Sequence, residues 1–586
     1  MIAGQNLFSS KSFPLSNLLE QIRNGDIALP DLQRPFVWKS TQIRNLFDSL
    51  FRGYPVGFIL LWEIGSSEKT RTIGTENPVR EPRFLVIDGQ QRLTSLYSVL
   101  KNSEIVNKKF ERFKPKIAFN PLRGEFEVAN PAIAKDVSWI ADISDFFAED
   151  STYTYIQKYL AKLKEKHDIT EQEERQIIFN LEKLNQIRSY PFTVLELSPS
   201  LDTKMVSEIF VRVNSEGKSL NQSDFVMTVL SVYLPELRER IEKFASLAKK
   251  PPENNRPSPF NSVFIPDTDH LIRIIVADAF SRGKLQYAHA LLRGRDLDTR
   301  QESKETREKN LSKMEDASER ALDLTNWQGF IKILKNIGIV NRFLVSSALT
   351  TSFTYALYLY ARQLGMSLEE LEDFVAGWMY MSILTSRYIG SPETQFESDL
   401  ATLKREKNKN YFVTTYKHIV ASNLTDDFWS INLPEILTSS SSRNHGYLTY
   451  LMALNVENAK VLFSETRIRD ILGANEVYKK SLIERHHLFP VNYLRKQGVE
   501  KVQEINQVAN YCYIEYPINI EISDEAPAKY FPELLKKRRV TDDDYFYHAI
   551  PQNFWEMPYQ DFLSERRKLM ANVIKQGFYK IYGKKQ

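Results

Sequence analysis

Two adjacent histidines, His486 and His487, are followed by Pro490, Asn510 and Asn519 at intervals that suit phosphodiester hydrolysis assisted by one metal ion. The run Glu484 to Pro490 reads as a short strand ending in a turn. His487 precedes Asn510 by 23 residues and Asn519 by 32, room for a loop, a second strand over Tyr511 to Tyr516 and a helix beginning near Asn519. In such a ββα finger the strand sends successive imidazoles to different faces, one to ligate a cation and one to deprotonate water. His486 and Asn519 would then share an ion while His487 stays free as general base, because imidazole titrates near ~6.5 and is available at physiological pH. One imidazole and one amide oxygen make an incomplete shell, which water and substrate phosphate complete. That suits Mg²⁺ or Mn²⁺ better than a closed structural zinc site. The cation would stabilise the scissile phosphate as negative charge develops. The competing interpretation is two surface histidines and unrelated asparagines in a mixed loop.

These residues resemble the HNH, or His-Me finger, nuclease family, in the variant found at the C-terminus of modification-dependent restriction enzymes. The resemblance implies base function for His487, metal binding for His486 and Asn519, and a loop-bracing part in the catalytic set for Asn510. Many relatives carry an acidic residue where His486 stands. A neutral ligand lowers the negative charge of the site and leaves the metal preference open.

A second chemistry-bearing segment is Asp88-Gly89-Gln90-Gln91-Arg92, preceded by the apolar run from Phe84 and followed by Leu93, Leu96, Tyr97 and Leu100 at helical spacing. Strand, tight turn and helix start meet there. Backbone N–H groups at a helix N-terminus attract anions, and Gly89 lets a ligand approach closely. Arg92 has the fork for a phosphate, and Asp88 can hold a cation or orient water. No Walker motif is present. Together with Leu29 to Trp38, an amphipathic helix from about Ser40 to Phe51, and a turn at Gly53 to Gly57 into the strand Phe58 to Trp62, this segment looks like the N-terminal, GmrS-like domain of the same type IV, GmrSD-like restriction family, which has a ParB-like fold. The likeness continues at Ile209 to Leu220 and at Arg387-Tyr388. It implies nucleoside triphosphate binding and hydrolysis around Asp88, Gly89, Gln90, Gln91 and Arg92, with Gln33 and Arg34 close by. The alternative is structural: Gln33 and Arg34 cap a loop, and Arg92 braces Asp88 internally. Around Asn214 to Gly217, Gly217 reads as a helix stop and Asn221 or Ser223 as the next N-cap.

With 586 residues the chain exceeds a single core. One cysteine, Cys512, excludes an intramolecular disulfide framework and fits a reducing, cytoplasmic setting. No basic n-region followed by an apolar stretch opens the sequence, so no signal peptide is expected. The uncharged stretch Phe343 to Ala361 is interrupted by serines and threonines and reads as a buried helix, not a membrane span. The 78 basic and 74 acidic residues leave a net charge of +4, which does not by itself announce a nucleic-acid binder. Basic residues do cluster at Lys536, Lys537, Arg538 and Arg539, and again at Arg566, Arg567 and Lys568, where they could bind phosphates or form solvated helix faces. Tyr530, Phe531, Tyr545, Phe546 and Tyr547 read mostly as core.

The expected fold is a multidomain α+β chain with no internal repeat. A ParB-like α+β, nucleotide-binding domain spans 1–245, with strands at Lys116 to Asn120, Glu125 to Val128 and Phe192 to Leu197 and a helical insertion around Ile156 to Asn185. A proline-rich linker spans 246–265, an all-helical coupling region 266–435, and a C-terminal ββα-metal (HNH) nuclease domain 436–586, after the serine run Thr438 to Ser442. Arg293 to Arg320 reads as a solvated helix or a mobile connector.

The expected function is a nucleotide-regulated, metal-dependent DNA endonuclease acting in anti-phage defence on modified double-stranded DNA. It would use Mg²⁺ or Mn²⁺ and a nucleoside triphosphate, with no membrane partner and homo-oligomerisation left open. Two rivals are a DNA-binding NTPase sensor with an inactive finger, and a nuclease toxin acting on RNA or host DNA.

Overall fold

The structure is a computed structural model. It describes residues 7–583 apart from 31–35, 37, 64–69, 72–81, 107–111, 150, 202–204, 207–208, 210–221, 253–255, 293, 298, 302, 346, 474–482 and 539. Gln33, Arg34, Asn214 to Gly217, Asn221 and Arg539 therefore lie outside the described residues. The N-terminal part is mixed α+β with open sheets and the remainder is largely helical. The chain divides into two compact units, Met1–Arg238 and Glu239–Gln586.

The first unit is built on a six-stranded mixed sheet. Its strands are β1 (Phe8–Pro14), β2 (Ile27–Pro30), β3 (Ile59–Glu63), β4 (Thr70–Arg71), β5 (Phe84–Asp88) and β10 (Pro191–Leu197), in the order β1-β10-β3-β5-β2-β4. β3 lies parallel to β10 and antiparallel to β5. Period-two alternation splits its central strands between two cores. Ile59, Leu61 and Val86 enter one cluster, with helices α1 (Leu15–Arg23), α2 (Ser40–Arg52) and α3 (Gln90–Leu100), while Leu60, Trp62, Leu85 and Ile87 enter the other. Helix α2 buries Ile43, Leu46, Phe47, Leu50 and Phe51, an i, i+3, i+4, i+7 stripe, and ends at Gly53 in the left-handed region. The two-residue pair β6 (Ile105–Val106) and β7 (Arg112–Phe113) and the hairpin β8 (Ile117–Asn120) and β9 (Glu125–Val128) follow. The expected helical insertion comprises α5 (Thr152–Lys164) and α6 (Glu171–Asn185), after the short α4 (Ile143–Ala148). Ser223 is not an N-cap: it is the second residue of the helix Gln222–Tyr233, already inside the first turn.

In the second unit the uncharged segment forms the helix Ala348–Gln363, buried continuously from Thr350 to Ala361. Its polar residues are tolerated because Ser352 and Thr354 donate their hydroxyls to the carbonyls of Ala348 and Thr350, at 2.9 and 2.8 Å. Among the described residues no helix is long and apolar enough to cross a membrane. From Lys304 the charged stretch is a helix, Lys304–Leu322, solvated along its charged face and packed through Met314, Ala317 and Ala321, which are fully buried. The boundary expected at 435/436 falls inside this unit. The C-terminal helix Tyr559–Ile581 packs on His445–Val456, where Gly577 meets Ala453, and its Phe578 ring lies 5.7 Å from that of Tyr380. The Asn455 amide also donates to Gly338 O at 2.8 Å.

Candidate active site

Strands β11 (Ile483–His487) and β12 (Tyr511–Glu515) form an antiparallel ribbon in which His486 faces Cys512 and His487 faces Tyr511. The helix Tyr516–Ile522 follows β12 without a gap, started by Pro517 in its first turn. That short return carries Asn519 back to the ribbon, where its Oδ1 lies 2.8 Å from His486 Nδ1. His486 is 5% exposed, with Tyr530 packed edge-on at 5.7 Å. Burial pushes its imidazole down to about 4; the bond to Asn519 opposes this, and His487 adds a smaller push downward. His486 is therefore neutral at physiological pH, as a metal ligand has to be.

His487, on the other ribbon face, is only half-buried and packs against the Tyr511 ring, tilted, with ring centres 4.6 Å apart. Its Nε2 lies 2.9 Å from Oδ1 of Asn506. Its pKa is also lowered, by burial first, against the bond to Asn506, with the Arg485 guanidinium contributing in the same direction as burial. Arg485 is exposed and lies 5.5 Å over the same Tyr511 ring.

Asn510 closes the loop between the strands. Fully buried, it accepts from Phe489 N at 2.9 Å and donates to Phe489 O and Ile505 O, both at 3.1 Å. Leu488 N donates to Asn510 O at 2.8 Å, and Tyr530 OH to Leu488 O at 2.7 Å. Every one of these groups is inside the protein, so the loop's conformation is tied to a single carboxamide.

Beneath the ribbon lies Arg566, which the sequence groups with Arg567 and Lys568 as a candidate phosphate binder. It is fully buried and donates to Ala509 O, Tyr511 O and His548 O at 2.6, 2.7 and 3.0 Å. Backbone carbonyls solvate this cation, so Arg566 is an internal staple of the finger and cannot touch nucleic acid. Lys536 and Lys537 are exposed in the last turn of the helix Pro527–Lys537, where the helix dipole favours cations. Lys537 pairs with Glu521 on the finger helix at 2.8 Å, and half-buried Arg538 caps the same helix end.

The donor set can be tested against a divalent cation. Donors on adjacent vertices of an octahedral Mg²⁺ shell, each about 2.1 Å from the ion, are about 3 Å apart. The 2.8 Å between His486 Nδ1 and Asn519 Oδ1 is compatible with two such donors in the tautomer that carries the ring hydrogen on Nε2. Nε2 of His486 is buried with no hydrogen-bond partner, so the ring has no other anchor for its nitrogens. Among the described residues no three His, Cys, Asp or Glu side chains group to hold a metal, and the donors brought together here are one imidazole and one carboxamide.

In the first unit, strand, turn and helix meet as expected: β5 ends at Asp88, Gly89 turns with φ +91°, and α3 starts at Gln90. A Cβ on Gly89 would stand 2.4 Å from Ile59 Cδ1. Arg92, however, points inward. Its Nη2 lies 3.1 Å from Asp88 Oδ2 and its Nη1 donates to Val56 O, and burial holds the guanidinium below its ordinary pKa. The internal brace is the arrangement observed, and it engages two of the five guanidinium N–H donors. Gln90 and Gln91 are buried, and Gln91 Oε1 accepts from Trp38 N at 3.3 Å.

Sequence reasoning missed Asn506 and the buried role of Arg566. Asn506 carried no signal, being one of several polar residues in the loop; the unbroken 23-residue helix around Arg566, with Phe562, Leu563, Met570 and Ala571 on the same inward side, was the available clue.

Residues 15–231 match the family described as GmrSD restriction endonuclease, N-terminal domain. The chain thus carries an N-terminal GmrSD-like restriction endonuclease domain. A protein of Methanocaldococcus jannaschii described as uncharacterized is 25% identical to this chain over 575 residues, covering 90% of this chain and 88% of that protein. The similarity to that relative therefore extends well beyond the family match.

Proposed function

We propose that this protein is a nucleotide-regulated, metal-dependent DNA endonuclease of anti-phage defence that restricts modified DNA. The observation that carries the reading is the pairing of His486 with Asn519 beside a second imidazole, His487, on a strand–strand–helix finger. The GmrSD-like N-terminal domain supports the restriction class. His487, neutral at physiological pH, takes a proton from water; the hydroxide oxygen bonds to phosphorus as the bond to the leaving oxygen breaks, and that oxygen is protonated by solvent. His486 and Asn519 are the residues that would hold Mg²⁺ or Mn²⁺, which when bound supplies charge stabilisation at the phosphate. Asn510 keeps the loop, and with it both imidazoles, in place. Lys536, Lys537 and Arg538, with Arg539, are proposed to contact the DNA backbone.

The Asp88 to Arg92 segment, with Gln33 and Arg34, is proposed as the triphosphate site, and occupancy there gates cleavage. Release of Arg92 from Asp88 and Val56 towards the phosphates is the local event. The deciding experiment is cleavage of matched modified and unmodified phage DNA with Mg²⁺ or Mn²⁺, with and without each triphosphate. Metal-dependent cutting of the modified DNA that disappears in His487→Ala is expected. Undiminished cutting by that variant refutes the active-site assignment, and indifference to both triphosphate and Arg92→Ala refutes the gating.

That no three His, Cys, Asp or Glu side chains group to hold a metal among the described residues favours one alternative, a DNA-binding NTPase whose finger is inactive. Triphosphate hydrolysis with no cleavage under any metal would select it.

A further inference from the structure

The general base of the proposed nuclease has two ring nitrogens, and only one of them can take the proton. Nε2 of His487 lies 2.9 Å from Oδ1 of Asn506, 19 residues downstream. A carboxamide oxygen only accepts hydrogen bonds, so this contact requires the hydrogen of the neutral ring to be on Nε2 and leaves the lone pair on Nδ1. Asn506 is itself fixed. It ends the short helix Val502–Ile505, its N–H donates to Val502 O at 2.9 Å, and its neighbour Ile505 presents its carbonyl to Asn510 Nδ2 at 3.1 Å and to Tyr559 OH at 3.2 Å. The buried clasp at Asn510 therefore reaches His487 through one residue: it fixes Ile505, which places Asn506, which orients the imidazole. Tyr511, its ring centre 4.6 Å away and tilted by 51°, packs against the imidazole, and the bond to Asn506 sets the direction of its Nε2.

We propose that Asn506 is the positioning residue of this site, selecting the His487 tautomer with Nε2 protonated and Nδ1 as the atom that accepts the proton of water. The inference rests on the nuclease reading for its catalytic meaning, but its structural content stands independently. A backbone carbonyl would serve the same purpose with no choice of residue; a side chain makes it mutable and so testable.

The experiment uses the full-length protein with ¹⁵N-labelled histidine at neutral pH, the His487 ring signals being assigned by their loss in His487→Gln. Wild type and Asn506→Asp, which keeps an acceptor oxygen, are expected to show the tautomer with hydrogen on Nε2. Asn506→Leu, close in volume but with no acceptor, is expected to show a mixture. In DNA cleavage Asn506→Leu should lose about 100-fold in kcat with KM nearly unchanged, and Asn506→Asp should restore most of it, since a wrongly protonated base costs turnover and not binding. A wild-type ring protonated on Nδ1 overturns the proposal whatever the protein cleaves. Wild-type turnover by Asn506→Leu alongside an inactive His487→Ala also overturns it. Full activity in His487→Ala instead overturns the assignment of His487 as general base, leaving the tautomer measurement to decide the role of Asn506. If Asn506→Leu does not fold, the wild-type and Asn506→Asp spectra still decide it.

Discussion

Asn519 Oδ1 stands 2.8 Å from His486 Nδ1 although 33 residues separate the two in the chain. The contact exists because one antiparallel strand pair and one seven-residue helix fold the intervening segment back on itself.

If that pair holds a divalent cation, changing the charge of one donor must change affinity. Asn519→Asp supplies an anionic oxygen and is expected to tighten Mn²⁺ binding about tenfold, whereas Asn519→Ala should weaken it by at least about tenfold. Paramagnetic titration of the full-length variants measures both. Equal affinity in all three proteins would remove Asn519 from the site.

Asn510→Ala leaves Phe489 N and Phe489 O without their partner in the interior and takes from Ile505 O one of its two donors, Tyr559 OH remaining. Each orphaned group costs on the order of 1–3 kcal/mol, so a loss of about 3 kcal/mol is expected in urea unfolding of the second unit, together with loss of cleavage. Asn510→Asp should not rescue stability, because it removes the donor to the two carbonyls.

His548 is fully buried, and its pKa is lowered to about 4 by desolvation first, against a hydrogen bond to Lys460 O, with the Arg566 charge adding to the lowering. The unfolded chain binds this proton near pH ~6.5 and the folded one does not, so stability falls as pH drops from about 6.5 towards 4. Between pH 7 and 5 this group alone removes about 2 kcal/mol. The slope of unfolding free energy against pH should be shallower in His548→Gln; an unchanged slope would refute the assignment.

Gly89→Ala places a Cβ 2.4 Å from Ile59 Cδ1 at a residue with φ +91°. Left-handed backbone and overpacking together cost about 2–3 kcal/mol. Since Gly89 joins β5 to α3, triphosphate binding should weaken in parallel with stability, which calorimetry on the variant measures. Retained melting temperature would show that the turn relaxes freely.

Much of the fold was legible because it follows from local periodicity. The stripe in α2, the strands β8 and β9, and the buried helix after Phe343 all emerge where expected, to within a few residues at their ends. The charged stretch before Arg320 was harder to read, since its few buried positions, Met314, Ala317 and Ala321, are widely spaced among charges. Arg566 was misread for a related reason: composition counts a cation, but only packing shows that three carbonyls surround it.

The sequence by itself determined that two imidazoles would occupy opposite faces of one strand, because side chains alternate along any strand, and that a glycine would turn the chain after Asp88. Tertiary structure alone decided which distant groups meet them. Asn506 on His487 and the Val56 carbonyl on Arg92 are hydrogen bonds whose directions depend on how loops and strands close in space, and no residue spacing encodes that closure.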